Sequence, residues 1–319
     1  MITTNLYERI LMNPVINGAD KLYVVSGYAS PAIVYKHLND SEKFSIDLII
    51  GMAIRDGMRL WSHNAFVKLA KEDFPTRFKC SYLTTDRPAH SKLYGWYKGT
   101  MPINGFAGSA NYSQPAFSNN QMEAMVECEA VPIRRLFNEL VKVSVNCLDS
   151  SVGDRIYFYD ERNIVTRKVK ANGQKEYVKE YVGEDSQFGQ SLTLSLLTEQ
   201  GIVGNRSGVN WGQRPGRDPN EAYIPVPIKI RRLGFFPPRG QHFILATDDN
   251  KILDCVIAQD DGKAIETYKN NSILGRYLRE RMGVASGERI TSGDFARYGR
   301  NNVDIHKIDE ETYYLDFSK

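Results

Sequence analysis

Two short apolar runs, Leu22–Ser26 and Ser45–Ile50, most restrict what this chain can fold into. Each reads as a buried strand, and each is followed by a helical pattern: one begins at Pro31 and reaches Leu38, the other runs from Arg59 to Lys71. Further strands are predicted at Lys79–Leu83, Leu93–Tyr97, Gly105–Ala107 and Ala124–Cys128. Behind Pro132, the residues Ile133, Leu136, Phe137, Leu140, Val141 and Cys147 recur at helical spacing. Strands alternating with helices predict an α/β layer structure for this half.

From about Ser151 the texture changes. Ile164–Lys170 and Gln174–Tyr181 alternate around Asn172-Gly173, a pair that favours a type I′ hairpin turn. The glycine-bounded stretch 183–189 reads as a linker. Beyond it, short strands are expected at Leu192–Leu197, His242–Ala246, Ile252–Ala258 and Thr312–Phe317, with one helix near Ser272–Met282. This half reads as a small β-rich barrel or sandwich. A chain of 319 residues is long enough for two cores. The expected division is 1–182, a linker at 183–189, and 190–319.

Composition excludes several classes. Net charge is only +3, so any nucleic-acid surface must come from local clusters. Cys80, Cys128, Cys147 and Cys255 are far apart and form no Cys-x-x-Cys, which argues against a zinc ribbon or a redox pair. No run approaches ~18 consecutive apolar residues, so no membrane span is expected. The first residues carry neither a basic nor an apolar leader pattern, and the expected location is the cytoplasm.

The chemistry concentrates in the first half. His90 and Lys92 form a His-x-Lys pair, followed by Gly108-Ser109-Ala110-Asn111 and then Glu123. A neutral imidazole can attack phosphorus and form a covalent phosphoryl-enzyme. It needs a partner on its other ring nitrogen, and a carboxylate such as Glu123 suits that task. Glu127 and Glu129 are competing candidates. On an extended segment Lys92 shares a side with His90, and Ser109 shares one with Asn111, so these groups can meet one phosphate. His63 shares a helical face with Leu60, Val67 and Ala70 and reads as a core histidine. His37, near a predicted helix end, reads as a cap contact or an exposed ring.

At these residues the chain resembles the phospholipase-D-type phosphodiesterases, in their nuclease branch. The resemblance implies His90 as nucleophile, Lys92, Ser109 and Asn111 as phosphate ligands, and Glu123 as the orienting carboxylate, with no metal and no cofactor. One departure is plain: Trp96 and Tyr97 stand where many members carry an aspartate. The family mechanism uses two histidines, yet this sequence holds one His-x-Lys. A homodimer sharing one active site is therefore expected.

The second half carries two arginine-rich stretches. Arg206–Tyr223 is rich in glycine, amides and arginine, with Trp211 in its middle; Ser286–Arg300 is similar. Arginine suits guanine edges, and Asn or Gln suits adenine. Together the halves resemble the BfiI and NgoFVII group of restriction endonucleases, which join a phospholipase-D-type nuclease to a B-three-type pseudobarrel. The resemblance implies sequence-specific binding of double-stranded DNA by two arms and a cognate DNA methyltransferase. The positions expected to contact DNA are Asn210, Trp211, Arg214, Arg217 and Asn220 in the first arm. In the second they are Asp294, Arg297, Tyr298 and Arg300. Two rival readings are a less specific phosphodiesterase and a regulator with a vestigial nuclease fold.

Overall fold

The computed structural model describes residues 1–117, 121–159, 165–169, 175–179, 190–249 and 251–319. The chain divides into two compact units, Met1–Gln187 and Phe188–Lys319.

The first unit is built on a seven-stranded mixed sheet. Its order is Met125–Cys128, Met101–Gly108, Lys92–Lys98, Lys21–Ser26, Ser45–Ile50, Phe78–Leu83, Ser144–Asn146. Lys21–Ser26, Ser45–Ile50 and Phe78–Leu83 are mutually parallel, and the remaining pairings are antiparallel. The first two of these parallel strands bury residues on both faces, including Val24 with Val25 and Leu48 with Ile49, which is why they read as unbroken apolar runs. Helix Ala130–Val141 covers one face, placing Phe137 against Val25, Ile49 and Leu83. Helix Pro31–Asp40 packs from the side that carries Trp96, whose ring lies 5.8 Å from that of His37.

The predicted helix behind Pro132 ends at Val141, and Cys147 instead follows the edge strand Ser144–Asn146, its N–H donating to Cys80 O. His63 is buried as expected, bonded to Tyr82 Oη at 2.9 Å and stacked on Phe158. His37 is neither exposed nor a cap. Its ring is fully buried, with Nδ1 2.7 Å from Tyr112 Oη and Nε2 3.2 Å from Leu11 O. The long apolar helix face on which it sits draws the imidazole inward, and those two partners satisfy it. Strands Val165–Val169 and Lys175–Lys179 pair antiparallel, as the hairpin pattern predicts. The Asn172-Gly173 turn and the 183–189 linker lie outside the described residues.

The second unit is a seven-stranded barrel. Its order is Gln190–Ser195, Asn302–Lys307, Thr312–Asp316, His242–Thr247, Ile252–Ala258, Ala264–Thr267, Ile224–Pro225. Every neighbour is antiparallel except Thr312–Asp316 beside His242–Thr247. The first and last strands of that order approach each other, so the sheet rolls up around Phe243, Leu245, Ile265, Ile305 and Tyr313. Helix Ser272–Met282 stops at Gly283 in the left-handed region. The second arginine-rich stretch is not all loop: Ser292–Tyr298 is helical. A capping box between Thr291 and Asp294 starts that helix, and Phe295 and Tyr298 are buried. No helix among the described residues is long and apolar enough to cross a membrane.

Burial holds the His37 pKa down at about 3. An unfolded histidine titrates near 6.5, so the unfolded chain binds the extra proton. The stability contributed is whole above that pH and is lost as pH falls toward 3. His37→Phe removes this proton. Between about pH 6 and pH 4 the variant's stability should fall less steeply than the wild type's, by up to about 1.4 kcal/mol per pH unit. Denaturant titrations across that range measure the difference, and parallel slopes would refute it.

Candidate active site and nucleic-acid interface

The active-site candidates gather because strand direction brings strand ends together. Ser26, Ile50, Leu83 and Gly108 end their strands at the edge where Lys92 and Met125 begin theirs. Ligand sites of sheets with a parallel core favour this edge, outside the carboxyl ends of the parallel strands. Crossing it requires close approach. Gly51 N–H donates to Ser26 O at 2.8 Å, and Gly51 O accepts Ala89 N–H at 3.2 Å. A Cβ at Gly51 would lie 2.0 Å from Ala89 O, so only glycine lets the segment leading to His90 lie there.

Lys92 pairs in register with Ser26 and is buried, whereas His90 is exposed. Lys92 Nζ donates to His90 O at 2.7 Å and lies 3.1 Å from His90 Nδ1 and 3.2 Å from Nε2. A point that near to both nitrogens lies off the ring plane, since an in-plane position would collide with Cε1. The ammonium thus sits against the imidazole rather than on one lone pair. Burial pushes its pKa below the usual lysine value, and Glu123 opposes that shift. Tyr28 meets the His90 ring edge-on at 5.8 Å, and its hydroxyl donates to Asp56 Oδ2 at 2.5 Å. That hydrogen bond raises the Tyr28 pKa and keeps the phenol neutral.

Asn111 is oriented from behind. Tyr28 N–H donates to Asn111 Oδ1 at 3.2 Å, and the buried Ser26 Oγ lies 3.4 Å from the same oxygen. Ser26 Oγ accepts Tyr112 N–H at 3.0 Å and gives its proton to Tyr28 O at 2.5 Å. With Oδ1 so engaged, Asn111 Nδ2 is left as the donor for a ligand. Sequence reasoning missed Ser26, Tyr28 and Asp56; the only signal was a hydroxyl and an aromatic flanking Gly27 just after a buried strand.

Glu123 is close to Lys92, but its hydrogen bond is with Ser109 Oγ, not with His90. Ser109 is further fixed by Ala124: its N–H donates to Ala124 O, and its Oγ accepts Ala124 N–H, both at 3.0 Å. Glu127 and Glu129 point to other tasks. Glu127 accepts from Asn104 Nδ2 at 2.8 Å, two positions down the sheet, and Glu129 precedes the Ala130–Val141 helix. Trp96 and Tyr97 are buried, their polar atoms bonded to Ile10 O and Ala130 O. Among the described residues no three His, Cys, Asp or Glu side chains cluster as metal ligands would.

In the barrel, the expected contact residues separate into two groups. Arg214, Arg217 and Arg297 are exposed. Arg214 donates Nε to Arg206 O at 2.8 Å. Arg217 lies 3.8 Å over the half-buried Trp211 ring and bonds Glu221. Arg297 pairs with Asp294 at 2.5 Å. Asn210, Asn220, Asp294, Tyr298 and Arg300 make hydrogen bonds within the domain. Asn210 is fully buried, with Nδ2 on Gly204 O and Ile290 O and Oδ1 on Ile290 N. Asn220 Oδ1 accepts Gly287 N–H at 2.6 Å. Asp294 caps its helix, Tyr298 bonds Phe317 O, and Arg300 bonds Asp304 and Asp316.

A groove lined by Arg231, Lys263 and Glu199 lies beside the first arm, on the stretch whose basic residues the sequence already shows. Thr198, Ser207, Tyr223, Pro225, Arg231 and Lys263 help line a cavity of about 570 Å³, and a second of about 610 Å³ shares Val226 and Arg231. Arg231 Nε and Thr198 Oγ1 are buried there without a hydrogen-bond partner among the described residues. Lys229, Arg232 and Arg239 are exposed on the same stretch of chain.

A phosphate-oriented His-Lys edge on one unit and a separate barrel with a basic arm and groove define a class: a phospholipase-D-type nuclease carrying a DNA-binding domain. The comparisons narrow it. The NgoFVII restriction endonuclease N-terminal PLD domain matches residues 4–154, and the NgoFVII C-terminal B3-like DNA-binding domain matches residues 186–309. The chain belongs to the NgoFVII restriction endonuclease family. Its first domain is accordingly a PLD-type domain and its second a B3-like pseudobarrel. Comparison with curated proteins returned no match. Among solved structures, NucT from Helicobacter pylori is 15% identical, with a TM-score of 0.33, over 46% of this chain and 96% of that one. Nuc from Salmonella typhimurium, a phospholipase D family member, is 12% identical, with a TM-score of 0.34, over 43% of this chain and 87% of that one. Scores this low carry no weight beside the two domain matches.

Ser26→Ala deletes the hydroxyl behind Asn111 and leaves Tyr112 N–H without its acceptor. The expected result is a cleavage rate constant lowered about tenfold to a hundredfold. Single-turnover cleavage with saturating enzyme measures it; a wild-type rate would show that Tyr28 alone suffices to hold the amide.

Proposed function

We propose that this nuclease is a type II restriction endonuclease that hydrolyses DNA through a phosphohistidine, without a metal, at or near a short specific duplex site. The carrying observation is the Lys92 ammonium buried against the His90 imidazole at the edge where Asn111 is held with its amide N–H available. One His90 ring nitrogen attacks phosphorus. A P–N bond forms and the P–O bond to the leaving group breaks. Lys92, Ser109 and Asn111 stabilise the phosphoryl oxygens as negative charge grows there. The leaving oxygen takes a proton from a second histidine. Water, giving a proton to that second histidine, then attacks the phosphohistidine, the P–N bond breaks, and free imidazole returns.

The second histidine would be His90 of another copy, because the sequence holds one His-x-Lys. This makes the enzyme a homodimer with a shared site. Glu123, engaged by Ser109 within its own chain, would also serve across that interface. On the barrel, Arg214, Arg217 and Trp211 at the arm, with Arg231 and Lys263 in the groove, would meet DNA. Arg297 would add a further contact. A cognate methyltransferase would protect host sites.

Plasmid incubated with the protein in EDTA should give discrete fragments, and His90→Ala should give none. A smear would indicate an enzyme without site specificity, and dependence on added magnesium would sink the metal-free mechanism. A denaturant-stable protein–DNA adduct should form with the wild type and not with His90→Ala. Mixing wild type with excess His90→Ala should depress activity as mixed dimers form; unchanged wild-type activity would sink the shared site.

A further inference from the structure

The charged group buried most deeply in the barrel is Arg279, 1% exposed on helix Ser272–Met282. All five of its N–H donors meet backbone carbonyls. Nε donates to Glu288 O at 2.8 Å. Nη1 donates to Gly275 O at 3.0 Å and Asn220 O at 3.4 Å. Nη2 donates to Pro219 O at 3.1 Å and Val209 O at 3.5 Å. Three of those carbonyls belong to the first arm, one to the loop before the Ser292–Tyr298 helix, and one to its own helix. A guanidinium buried against carbonyls rather than a carboxylate is tolerated only when its fork is fully used.

Other contacts tie the same pieces. Gln213 Nε2 bridges Pro219 O at 3.0 Å and Gly287 O at 3.1 Å. Asn220 and Asn210 bond the backbone at Gly287 and Ile290. A Cβ at Gly275 would lie 1.6 Å from Asn220 O, so the arm rests directly on the helix backbone. Arg214 and Arg217 lie exposed on this anchored arm.

We propose that Arg279 is the positioning residue that presets the DNA-facing arm, so that the arm is one rigid reading element before DNA arrives. This rests on the reading that the arm meets DNA. The planar fork fixes direction as well as distance, and charge-assisted bonds to loop carbonyls are stronger than neutral ones. Stretch 284–291 then acts as a buttress for the arm. A purely structural arginine would lower stability and weaken all DNA binding alike. A positioning arginine lowers discrimination, because discrimination depends on where the arm's donors stand.

The test uses the full chain. Duplexes selected from a random library for binding to the full chain carrying His90→Ala, the background for every variant here, are one probe, and shuffled versions are the comparator. Arg279→Lys keeps the charge but loses the fork. Gln213→Ala removes only a bridging amide, and it decides the matter if Arg279→Lys does not fold. Arg279→Lys should bind selected duplexes about tenfold more weakly and shuffled ones within about twofold of that background. Gln213→Ala should shift the ratio in the same direction by less. Trypsin should cut after Arg217 faster in both variants. Equal loss on both probes, or unchanged discrimination, overturns the proposal. Arg214→Ala separates it from the reading beneath it. If Arg214→Ala also leaves discrimination intact, or if no duplex enriches, the arm is not a reader and both ideas fall. If Arg214→Ala abolishes discrimination while the anchoring variants keep it, the positioning role alone fails.

Discussion

Much of the first domain depends on one contact that a side chain would forbid. At Gly51 the backbone receives the segment that leads to His90 and ties it to the strand ending at Ser26. Without that crossing, the histidine would have no fixed relation to the sheet. With it, Lys92 enters the next strand in register with Ser26, whose hydroxyl holds the Tyr28 and Tyr112 backbone around Asn111. His90, Lys92 and Asn111 are thus held at the ends of neighbouring strands of one sheet, His90 and Asn111 on the short segments that flank those strands.

The two domains use their charges differently. In the first, Lys92 is buried beside His90, and its ammonium is partly balanced by Glu123. In the second, Arg281 is bonded by Asp248, which raises its pKa, and Arg300 lies between Asp304 and Asp316. Arg279 has carbonyls alone. Arginine in this barrel is as much a framework residue as a surface one, and its planar set of donors suits it to stitching loops that have no strand ladder of their own.

Much of this was legible in the sequence. Buried parallel strands announce themselves because both faces are apolar, so Ser45–Ile50 was placed to the residue. Helix Ser272–Met282 was also placed correctly, its end marked by Gly283. The catalytic candidates came from spacing, and Lys92, Asn111 and Glu123 do gather at one edge. Ser26 and Gly51 stayed hidden because their roles depend on which segment crosses them, a fact of topology rather than of local pattern. Asn302–Lys307 is a strand not among those named from sequence, although Val303 and Ile305 alternate in it; the arginine-rich stretch ends just before it, at Arg300. The amides Asn210 and Asn220 were assigned outward by composition. The chain turns them inward, since buried loop backbone needs partners and an amide can both donate and accept.

The inward use of Arg279, Arg281 and Arg300 has a consequence for how the barrel's hold on DNA responds to salt. Affinity for arbitrary duplex grows with each cation that displaces counterions from phosphate. Arginines locked to carbonyls and carboxylates displace none. The domain therefore presents fewer mobile positive charges than its arginine content suggests. A surface with fewer such charges releases fewer counterions from duplex phosphates, so its affinity there varies less steeply with salt than the arginine content alone would give.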